Sequence, residues 1–226
     1  QRLIDEALRG LPFAYAYIDD GLVASETDEE HQQHVEQVLQ RLAAHGLVVN
    51  VDKCVFGVSR LEFLGHIIDS DGLHPRPEKV RDIAAFKVPQ SQTMAQLKRF
   101  LGMVNFYRRF IPQCATLLLP LTTLLQGRPK GKLSPVVFDA NAMHAFAEAK
   151  SALAATTQLH HPLPDAELSL MVDASDHAVG AVLHQSVGSD PQPLAYFSKV
   201  LKPAETRYST FGRELLAIYL AIKHFR

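Results

Sequence analysis

Tyr15-Ala16-Tyr17-Ile18-Asp19-Asp20 is an apolar run that stops at two adjacent carboxylates and continues as Gly21-Leu22-Val23-Ala24. This pattern predicts a β-hairpin with acidic residues at its tip, and Gly21 is expected to supply the permissive backbone there. Neighbouring aspartates repel each other unless a hard cation such as Mg²⁺ neutralises them. Two interpretations stay open for this stretch alone: ordinary turn chemistry, or a metal-assisted phosphoryl-transfer site.

Length and composition bound the class of protein. The chain has 226 residues, 47% of them hydrophobic, which predicts two or more compact units. Its longest aliphatic run, Leu117-Leu118-Leu119, is broken by Pro120, and no signal-peptide pattern opens the chain, so neither a membrane partner nor secretion is expected. Cys54 and Cys114 stand alone without Cys-x-x-Cys spacing, which favours buried or free intracellular thiols and indicates neither a disulfide framework nor a zinc site.

Charge is segregated along the chain although the net charge is only -1. Seven acids and no Lys or Arg lie between Asp19 and Glu36. No acid at all lies between Asp82 and Asp139. That second block contains eight cations: Lys87, Lys98, Arg99, Arg108, Arg109, Arg128, Lys130 and Lys132. A solvated helix face usually mixes both signs, so this block predicts a polyanionic partner.

Local signals predict helices and short strands around the hairpin. Thr27 with Glu30 forms a capping box that predicts a helix ending near Gly46. His31 and His34 lie one turn apart on it, a metal pair or, with no third ligand in view, solvated surface. Three β-rich runs are expected to be strands: residues 47–50, 54–56 and 61–68.

The basic block predicts two consecutive helices. The first starts at Pro77 and is expected to run past Phe86 to Pro89. The second starts at a capping box formed by Thr93 and Gln96. Its apolar stripe leaves the basic residues Lys98, Arg99, Arg108 and Arg109 outside, where they suit a duplex backbone.

The last part of the chain predicts a helix, a linker and a small α/β unit. The helix covers residues 141–153 and the linker residues 156–166. Strands are expected over residues 168–172, 178–184 and 193–197, followed by a helix from about Tyr208. Asp173 ends the first strand and Glu214 interrupts the apolar face of the helix. Two such acids can converge on a metal, or they can be a turn residue and a salt-bridge partner.

Three motifs carry a family resemblance. Tyr17-Ile18-Asp19-Asp20 resembles the Tyr-x-Asp-Asp box of reverse transcriptases, although Gly21 replaces the family's usual branched apolar residue. The segment LKRFLGMVNFYRRFI, residues 97–111, closely resembles the thumb of gypsy-type LTR retrotransposon reverse transcriptases. Asp173-Ala174-Ser175 with Gly180-Ala181-Val182-Leu183, and Tyr208-Ser209 with Arg213-Glu214-Leu215-Leu216-Ala217, match the retrotransposon ribonuclease H pattern. The resemblance identifies the chain as a pol polyprotein segment.

The fold class that this resemblance implies is α+β and multidomain. Residues 1–72 correspond to the C-terminal part of a reverse transcriptase palm, with an antiparallel sheet and helices. Residues 73–127 correspond to a helical thumb and residues 128–164 to a connection. Residues 165–226 correspond to the N-terminal half of a ribonuclease H-like α/β domain.

The resemblance also implies a function and its residues. The function is RNA-directed DNA synthesis with ribonuclease H activity on RNA–DNA hybrids. The catalytic and metal-binding residues are then Asp19, Asp20, Asp173 and Glu214, with Mg²⁺ as cofactor or Mn²⁺ in its place. The residues that contact nucleic acid are then Tyr17, Phe63, Leu64, Gly65, Lys98, Arg99, Arg108 and Arg109.

Partners and limits follow from the same resemblance. The expected partners are an RNA or DNA template–primer duplex, deoxynucleoside triphosphates and the rest of the pol polyprotein, in a cytoplasmic virus-like particle or the nucleus. Reverse transcriptases take a third palm aspartate from an earlier strand, and ribonuclease H takes further acids after the helix, so this segment alone is expected to be inactive. Its truncated ribonuclease H-like sheet is expected to be the least stable region. A domesticated, non-catalytic nucleic-acid-binding protein stays open as the alternative.

Overall fold

The structure is a computed structural model that describes residues 1–87, 92–126, 135–156 and 158–226. The chain divides into two compact units, Gln1–Ser70 and Asp71–Arg226. Both units combine helices with antiparallel strands, which confirms the predicted α+β class. The predicted boundaries at residues 72, 127 and 164 stay predictions, and the one at 127 falls outside the described residues.

Unit 1 consists of two hairpins and two helices. Its elements are α1 (Arg2–Ala7), β1 (Ala14–Tyr17), β2 (Asp20–Val23), α2 (Asp28–Ala44), β3 (Arg60–Phe63) and β4 (His66–Asp69). β1 pairs with β2 and β3 with β4, both antiparallel. The predicted helix start is confirmed, because the Thr27 hydroxyl accepts the Glu30 N–H at 3.2 Å. The return bond differs from a capping box, because Glu30 Oε2 accepts the N–H of Glu26 at 3.3 Å.

Two predicted strands in unit 1 are wrong. Residues 47–50 and 54–56 are irregular, and a 3₁₀ turn, Val51–Lys53, separates them. Val48 is 96% exposed, so its β-favouring side chain packs against nothing. Strand propensity reports how well a residue fits a pleated, half-buried surface, and no neighbouring strand provides one here.

The two histidines of α2 are half-buried and share a partner. Ser25 Oγ lies 3.2 Å from His31 Nδ1 and 2.8 Å from His34 Nδ1. The His34 ring stacks on Phe13, with 3.6 Å between ring centroids. Both histidines therefore attach α2 to the residues that flank the first hairpin.

Among the described residues, the first part of unit 2 contains three short strands and four helices. These elements are β5 (Gly72–Pro75), α3 (Pro77–Ala84), β6 (Gln92–Thr93), α4 (Met94–Phe106), α5 (Cys114–Thr123), β7 (Pro135–Val136) and α6 (Ala140–Ala154). The start of α3 at Pro77 and the capping box of Thr93 and Gln96 are confirmed. The core lies between α4, α5 and α6, where Phe100 stacks on Phe146 with 4.3 Å between centroids.

Several helix boundaries differ from the prediction. α3 ends at Ala84, before Phe86, and Pro89 lies outside the described residues. α4 ends at Phe106, so Arg108 and Arg109 belong to a separate 3₁₀ turn, Arg108–Phe110. The sequence reading missed α5 altogether, since Pro120 lies inside it. Arg128, Lys130 and Lys132 fall outside the described residues.

The predicted linker carries a buried anchor. Leu159 is 1% exposed and exchanges two backbone hydrogen bonds with Leu73, of 2.7 and 3.0 Å. A Cβ at Gly72 would overlap the carbonyl oxygen of Leu159, so only glycine allows this approach. The residues between α6 and the next strand are thus attached to the rest of unit 2.

The last part of unit 2 is a three-stranded sheet with one long helix. β8 (Glu167–Ala174), β9 (Ala178–Val187) and β10 (Asp190–Val200) are antiparallel in the order β10-β9-β8, and α7 is Thr210–Phe225. All three predicted strands and the helix are confirmed, with longer strands than expected. Val179 and Ala217 form a small core with Leu201. Across the described residues, no helix has the length and apolarity needed to cross a membrane.

Candidate active sites

The first candidate site is the turn between β1 and β2. Tyr17 pairs with Asp20, so Ile18 and Asp19 form a two-residue loop. Ile18 has a left-handed φ of 54°, whereas Gly21 lies within β2. The expected role of Gly21 is therefore wrong, because the permissive conformation falls on a β-branched residue three positions earlier. Such strain persists only where the surroundings impose it, and it concentrates at functional sites.

Gln1 provides that support, and the sequence reading missed it. Its Oε1 accepts the N–H of Ile18 at 2.7 Å, and its Nε2 donates to the carbonyl oxygen of Ala16 at 2.9 Å. One side chain thus bridges the first strand and the left-handed residue of the turn. A glutamine at the start of a helix gives no signal of this in the sequence, because its partners lie 15 and 17 residues away.

The exposed face of this hairpin gathers the predicted residues. Tyr15 and Tyr17 are two positions apart in β1 and therefore share a face, and Asp20 shares it as the cross-strand partner of Tyr17. Asp19 and Asp20 are both exposed. Tyr15 meets the Phe63 ring edge-on, with 6.2 Å between centroids, which brings the second hairpin to the same side.

The second hairpin, formed by β3 and β4, has a tight two-residue turn. Leu64 and Gly65 form its loop and both have left-handed φ values, 47° and 77°. Two left-handed residues in a two-residue loop match the twist of the flanking strands. The carbonyl oxygen of Leu64 lies 2.9 Å from His66 Nδ1. Phe63, Leu64 and Gly65 are half-buried.

The second candidate site is the end of β8. Val172 and Ala174 pack against the α7 core, so Asp173, which lies between them, projects from the opposite face of the sheet. Gln113 Nε2 donates to Asp173 Oδ2 at 3.1 Å. Glu214 is half-buried in the second turn of α7. The neighbouring Arg213 forms an ion pair of 2.6 Å with Asp176 and so holds this part of α7 near the β8–β9 turn.

The four predicted basic contacts fall into two pairs. Lys98 and Arg99 are exposed on α4. Arg108 donates to the carbonyl oxygen of Ser198 in β10, and it lines a groove of about 450 Å³ with Arg109, Lys199 and His224. Burial lowers the pKa of His224, and the charges of Arg108 and Arg109 lower it further. Arg108 therefore has a structural contact that the sequence did not predict.

The metal-binding potential of these sites rests on carboxylates. Among the described residues, no group of three or more His, Cys, Asp or Glu side chains could hold an ion. Mg²⁺ prefers oxygen ligands and is commonly held by one or two carboxylates while it keeps several waters. The paired Asp19 and Asp20 fit that chemistry, and Asp173 and Glu214 offer the same donor type.

Two family models match the chain. The reverse transcriptase (RNA-dependent DNA polymerase) family covers residues 1–68, and the RNase H-like domain found in reverse transcriptase covers residues 138–226. The retrovirus-related Pol polyprotein from transposon opus of Drosophila melanogaster is 36% identical over 100% of this chain and 23% of its own length. The chain belongs to the retrotransposon Pol family.

Other relatives agree with this assignment. The transposon Tf2-3 polyprotein of Schizosaccharomyces pombe is 36% identical to the Pol chain over 93% of it and 15% of the relative. The Pol chain therefore spans between about a seventh and a quarter of the length of these relatives. Both matched regions agree with the predicted order of a reverse transcriptase part followed by a ribonuclease H-like part.

Solved structures match the fold of the Pol chain. A foamy viral protease-reverse transcriptase in complex with an RNA/DNA hybrid has a TM-score of 0.79 at 23% identity, over 98% of this chain and 29% of that one. The same protein in complex with double-stranded DNA has a TM-score of 0.78 at 22% identity, over 98% of this chain and 45% of that one. At these identities the likeness shows the fold.

Proposed function

We propose that the Pol chain contributes to an RNA-directed DNA polymerase with ribonuclease H activity, which copies retrotransposon RNA and degrades it in the resulting hybrid. The observation that carries the proposal is the first hairpin, where Asp19 and Asp20 are exposed beside a strained, externally supported turn. The proposal is further supported by the two matched families, in the order that such an enzyme requires.

In the polymerase centre, Asp19 and Asp20 hold divalent cations, Mg²⁺ or Mn²⁺. When bound, such a cation neutralises the developing charge of phosphoryl transfer and lowers the pKa of the attacking hydroxyl. The two carboxylates fix its position, and Gln1 keeps the turn that carries Asp19 rigid. A deoxynucleoside triphosphate and the primer end are the substrates of this centre.

The primer end is positioned by the two hairpins of unit 1. Tyr17 supports it from β1, and Phe63, Leu64 and Gly65 hold it from the second hairpin. This role is supported by the edge-on contact of Tyr15 and Phe63, which joins the two hairpins on the face that carries Asp20. Aromatic side chains offer flat apolar surfaces to bases and sugars.

The template–primer duplex contacts the basic helical part, residues 73–127, as the thumb of the enzyme. Lys98 and Arg99 bind its phosphates from the exposed side of α4, and Arg108 and Arg109 extend the basic surface. Phosphate contacts position a duplex without reading its sequence, which suits an enzyme that copies any template. Residues 128–164 serve as the connection to the ribonuclease H-like part.

In the ribonuclease H centre, Asp173 would hold a cation for hydrolysis of the RNA strand. Glu214 would supply a further carboxylate from α7, which packs on the other face of the sheet from Asp173. Both centres act inside the cell, in a cytoplasmic virus-like particle or the nucleus, together with the rest of the polyprotein. The proposal assigns the missing carboxylates of both centres to other parts of Pol. The 226-residue chain alone is therefore expected to incorporate no nucleotide.

The test uses the Pol chain within a longer stretch of its own reading frame. Asp19→Asn should reduce Mg²⁺-dependent extension of a DNA primer on an RNA template by roughly a thousandfold or more. Asp52→Asn is the matched control, because Asp52 is an equally exposed acid of unit 1 outside the hairpin. Asp173→Asn should leave extension intact and abolish cleavage of the RNA strand in a hybrid.

Two results would contradict the proposal. One is template-directed extension that survives Asp19→Asn at the level of Asp52→Asn. The other is cleavage of hybrid RNA that survives Asp173→Asn. Duplex binding with neither activity in the extended chain would instead favour the domesticated binding protein.

A further inference from the structure

Three residues form a row across the ribonuclease H-like sheet. Asp173 in β8 pairs with Gly180 in β9, and Gly180 pairs with Ser198 in β10. Directly paired residues share a face, so the row lies on the face opposite to α7. The start of α5 covers that row.

Two hydrogen bonds hold the start of α5 on the sheet. The N–H of Ala115 donates to Ser198 Oγ at 2.9 Å, and Ser198 is 3% exposed. Arg108, five residues earlier than Gln113, donates to the carbonyl oxygen of the same Ser198. Cys114, next to Gln113, is 0% exposed. The backbone on both sides of Gln113 is therefore anchored.

Glutamine is an unfavourable residue type at the N-cap position of α5, where Gln113 lies. It precedes the first residue of α5 with a left-handed φ of 46°, and its side chain caps no N–H of the helix. Such a position favours Ser, Thr, Asp or Asn, whose short oxygen satisfies a free N–H, and a left-handed φ favours glycine or asparagine. The Gln113 side chain instead lies over Gly180 and donates to Asp173 Oδ2 at 3.1 Å. An unfavourable local choice that makes one specific contact is a signature of function.

From this we infer that Gln113 is a positioning residue for the Asp173 carboxylate: it holds Oδ2 and leaves Oδ1 to a divalent cation. The inference rests on the proposed role of Asp173 in the ribonuclease H centre. A neighbour that hydrogen-bonds a ligating carboxylate orients it, and loss of such a neighbour typically lowers metal affinity about 10- to 100-fold.

Two variants separate the effect of the Gln113 side-chain amide from the effect of its left-handed backbone. Gln113→Leu removes the hydrogen-bond donor but keeps the strain of a non-glycine residue at a left-handed φ. Gln113→Gly removes the donor and also relieves that strain. The measurement is NMR line broadening by Mn²⁺ in the Pol chain within the longer stretch of its own reading frame, read at the amides of Asp173 and Gly180. We expect about a tenfold or greater loss of Mn²⁺ affinity at these amides in both variants. The melting temperature should rise in Gln113→Gly alone.

Two controls belong to the same measurement. Gln40→Leu removes an equivalent bond, from Gln40 Nε2 to Glu36 Oε1 at 3.0 Å, and should leave the broadening at Asp173 unchanged. The amides of Asp19 and Asp20 serve as an internal reference, and Gln113 variants should not alter the broadening there.

A second pair of variants acts without changing Gln113 or Asp173. A Cβ at Gly180 would lie 3.6 Å from Gln113 Cγ, an ordinary contact, so Gly180→Ala should keep the Mn²⁺ affinity. Gly180→Val adds methyl groups into the same space and should displace Gln113, with a loss like that of Gln113→Leu.

The outcomes distinguish the inference from the function on which it rests. Unchanged Mn²⁺ affinity at Asp173 in both Gln113 variants would overturn the positioning role and leave the proposed function standing. No broadening at Asp173 in the unmodified chain would overturn the proposed ribonuclease H role of Asp173, and the positioning role with it. Equal losses in Gly180→Ala and Gly180→Val would show that Gln113 does not act through its place over Gly180.

Discussion

The two units of the Pol chain bury their apolar side chains very differently. In unit 1 only Ala7, Leu11 and Ala16 are buried among the apolar residues, and α2 buries none. In unit 2 the helices α4, α5 and α6 form a continuous core around Phe100 and Phe146. The unit with the first hairpin therefore depends on specific contacts, such as those of Gln1 and Ser25, more than on core volume.

The difference places the first hairpin, with Asp19 and Asp20, in the unit that has the smaller apolar core. Exposed acids on a strained turn gain little from apolar burial, and elements with few buried contacts open locally at low cost. The core of the basic helical part consists of apolar side chains and leaves Lys98 and Arg99 exposed to solvent. The contrast between the units can be measured.

Each unit contains one cysteine, so thiol chemistry reports on each separately. Burial raises the pKa of Cys114 to about 11, although the charge of Arg108 opposes this. At pH 8 about a thousandth of such a thiol is ionised. Cys54 is only half-buried. With Ellman's reagent at pH 8, we expect Cys54 to react at least roughly a hundredfold faster than Cys114, because more of an ordinary thiol is ionised at that pH and the Cys114 thiol is buried.

Denaturant provides the control for this prediction, because both thiols should then react at the same rate. Cys54→Ser should leave only the slow phase. Similar rates for the two thiols in the folded chain would show that the core of unit 2 opens as readily as unit 1.

Matched leucines measure the same contrast as free energies of unfolding. Leu97 in α4 is 1% exposed, and Leu97→Ala should lower the stability by about 2–5 kcal/mol in urea denaturation. Leu42 in α2 is half-buried, so Leu42→Ala should cost about 1 kcal/mol. Equal costs at the two positions would break the contrast between the units.

Hydrogen exchange extends this prediction to the ribonuclease H-like part. The sequence predicts weaker protection there than in α2, because a sheet with few strands leaves an unpaired edge. Burial reverses that order, since Val179, Ala217 and Ala221 are each at most 2% exposed. We now expect α4 to exchange slowest, β9 and α7 at intermediate rates and α2 fastest. Faster exchange in β9 than in α2 would restore the original expectation.

Lys98 and Arg99 should affect duplex affinity but not the melting temperature. Lys98 and Arg99 are exposed, so replacing both with alanine should reduce the dependence of duplex affinity on salt, with a log–log slope smaller by about two. The melting temperature should not change. Lys53→Ala, in unit 1, is the matched control and should leave the slope as it is. A drop in melting temperature without a change in slope would assign Lys98 and Arg99 to the fold.

Arg108→Ala should differ from that pair, because Arg108 also bonds the carbonyl oxygen of Ser198. We expect a lower melting temperature as well as weaker duplex binding. An unchanged melting temperature would show that the bond contributes nothing to stability.

The smallest effect concerns pH. The pKa of His224 is lowered from 6.5, first by burial and then by Arg108 and Arg109. The unfolded chain therefore takes up this proton at a higher pH than the folded chain, so stability is lost as the pH falls below about 6.5. His224→Gln should reduce that loss in melting curves between pH 7.5 and about 5.5. An identical loss in the variant would assign the pH dependence to other groups.

Much of the fold and part of the candidate sites could be predicted because the signals are local. A proline at the first position of α3, and the exchange between Thr93 and Gln96, involve neighbours in sequence. The hairpin of Asp19 and Asp20 is likewise local, since an apolar run, two acids and a second apolar run define its two strands. Predictions failed where a partner outside the segment decides the conformation, as for residues 47–50.

The strands and helices whose hydrogen bonds close within a few residues follow from the sequence alone, and so does the order of the two matched families. The left-handed conformation of Ile18 follows from the fold instead, because Gln1, which holds it, lies 17 residues away. The fold also decides that Arg108 anchors β10, and that Gln113 reaches Asp173 across 60 residues of chain. Such contacts form between residues that are far apart in the chain, so no local spacing in the sequence predicts them.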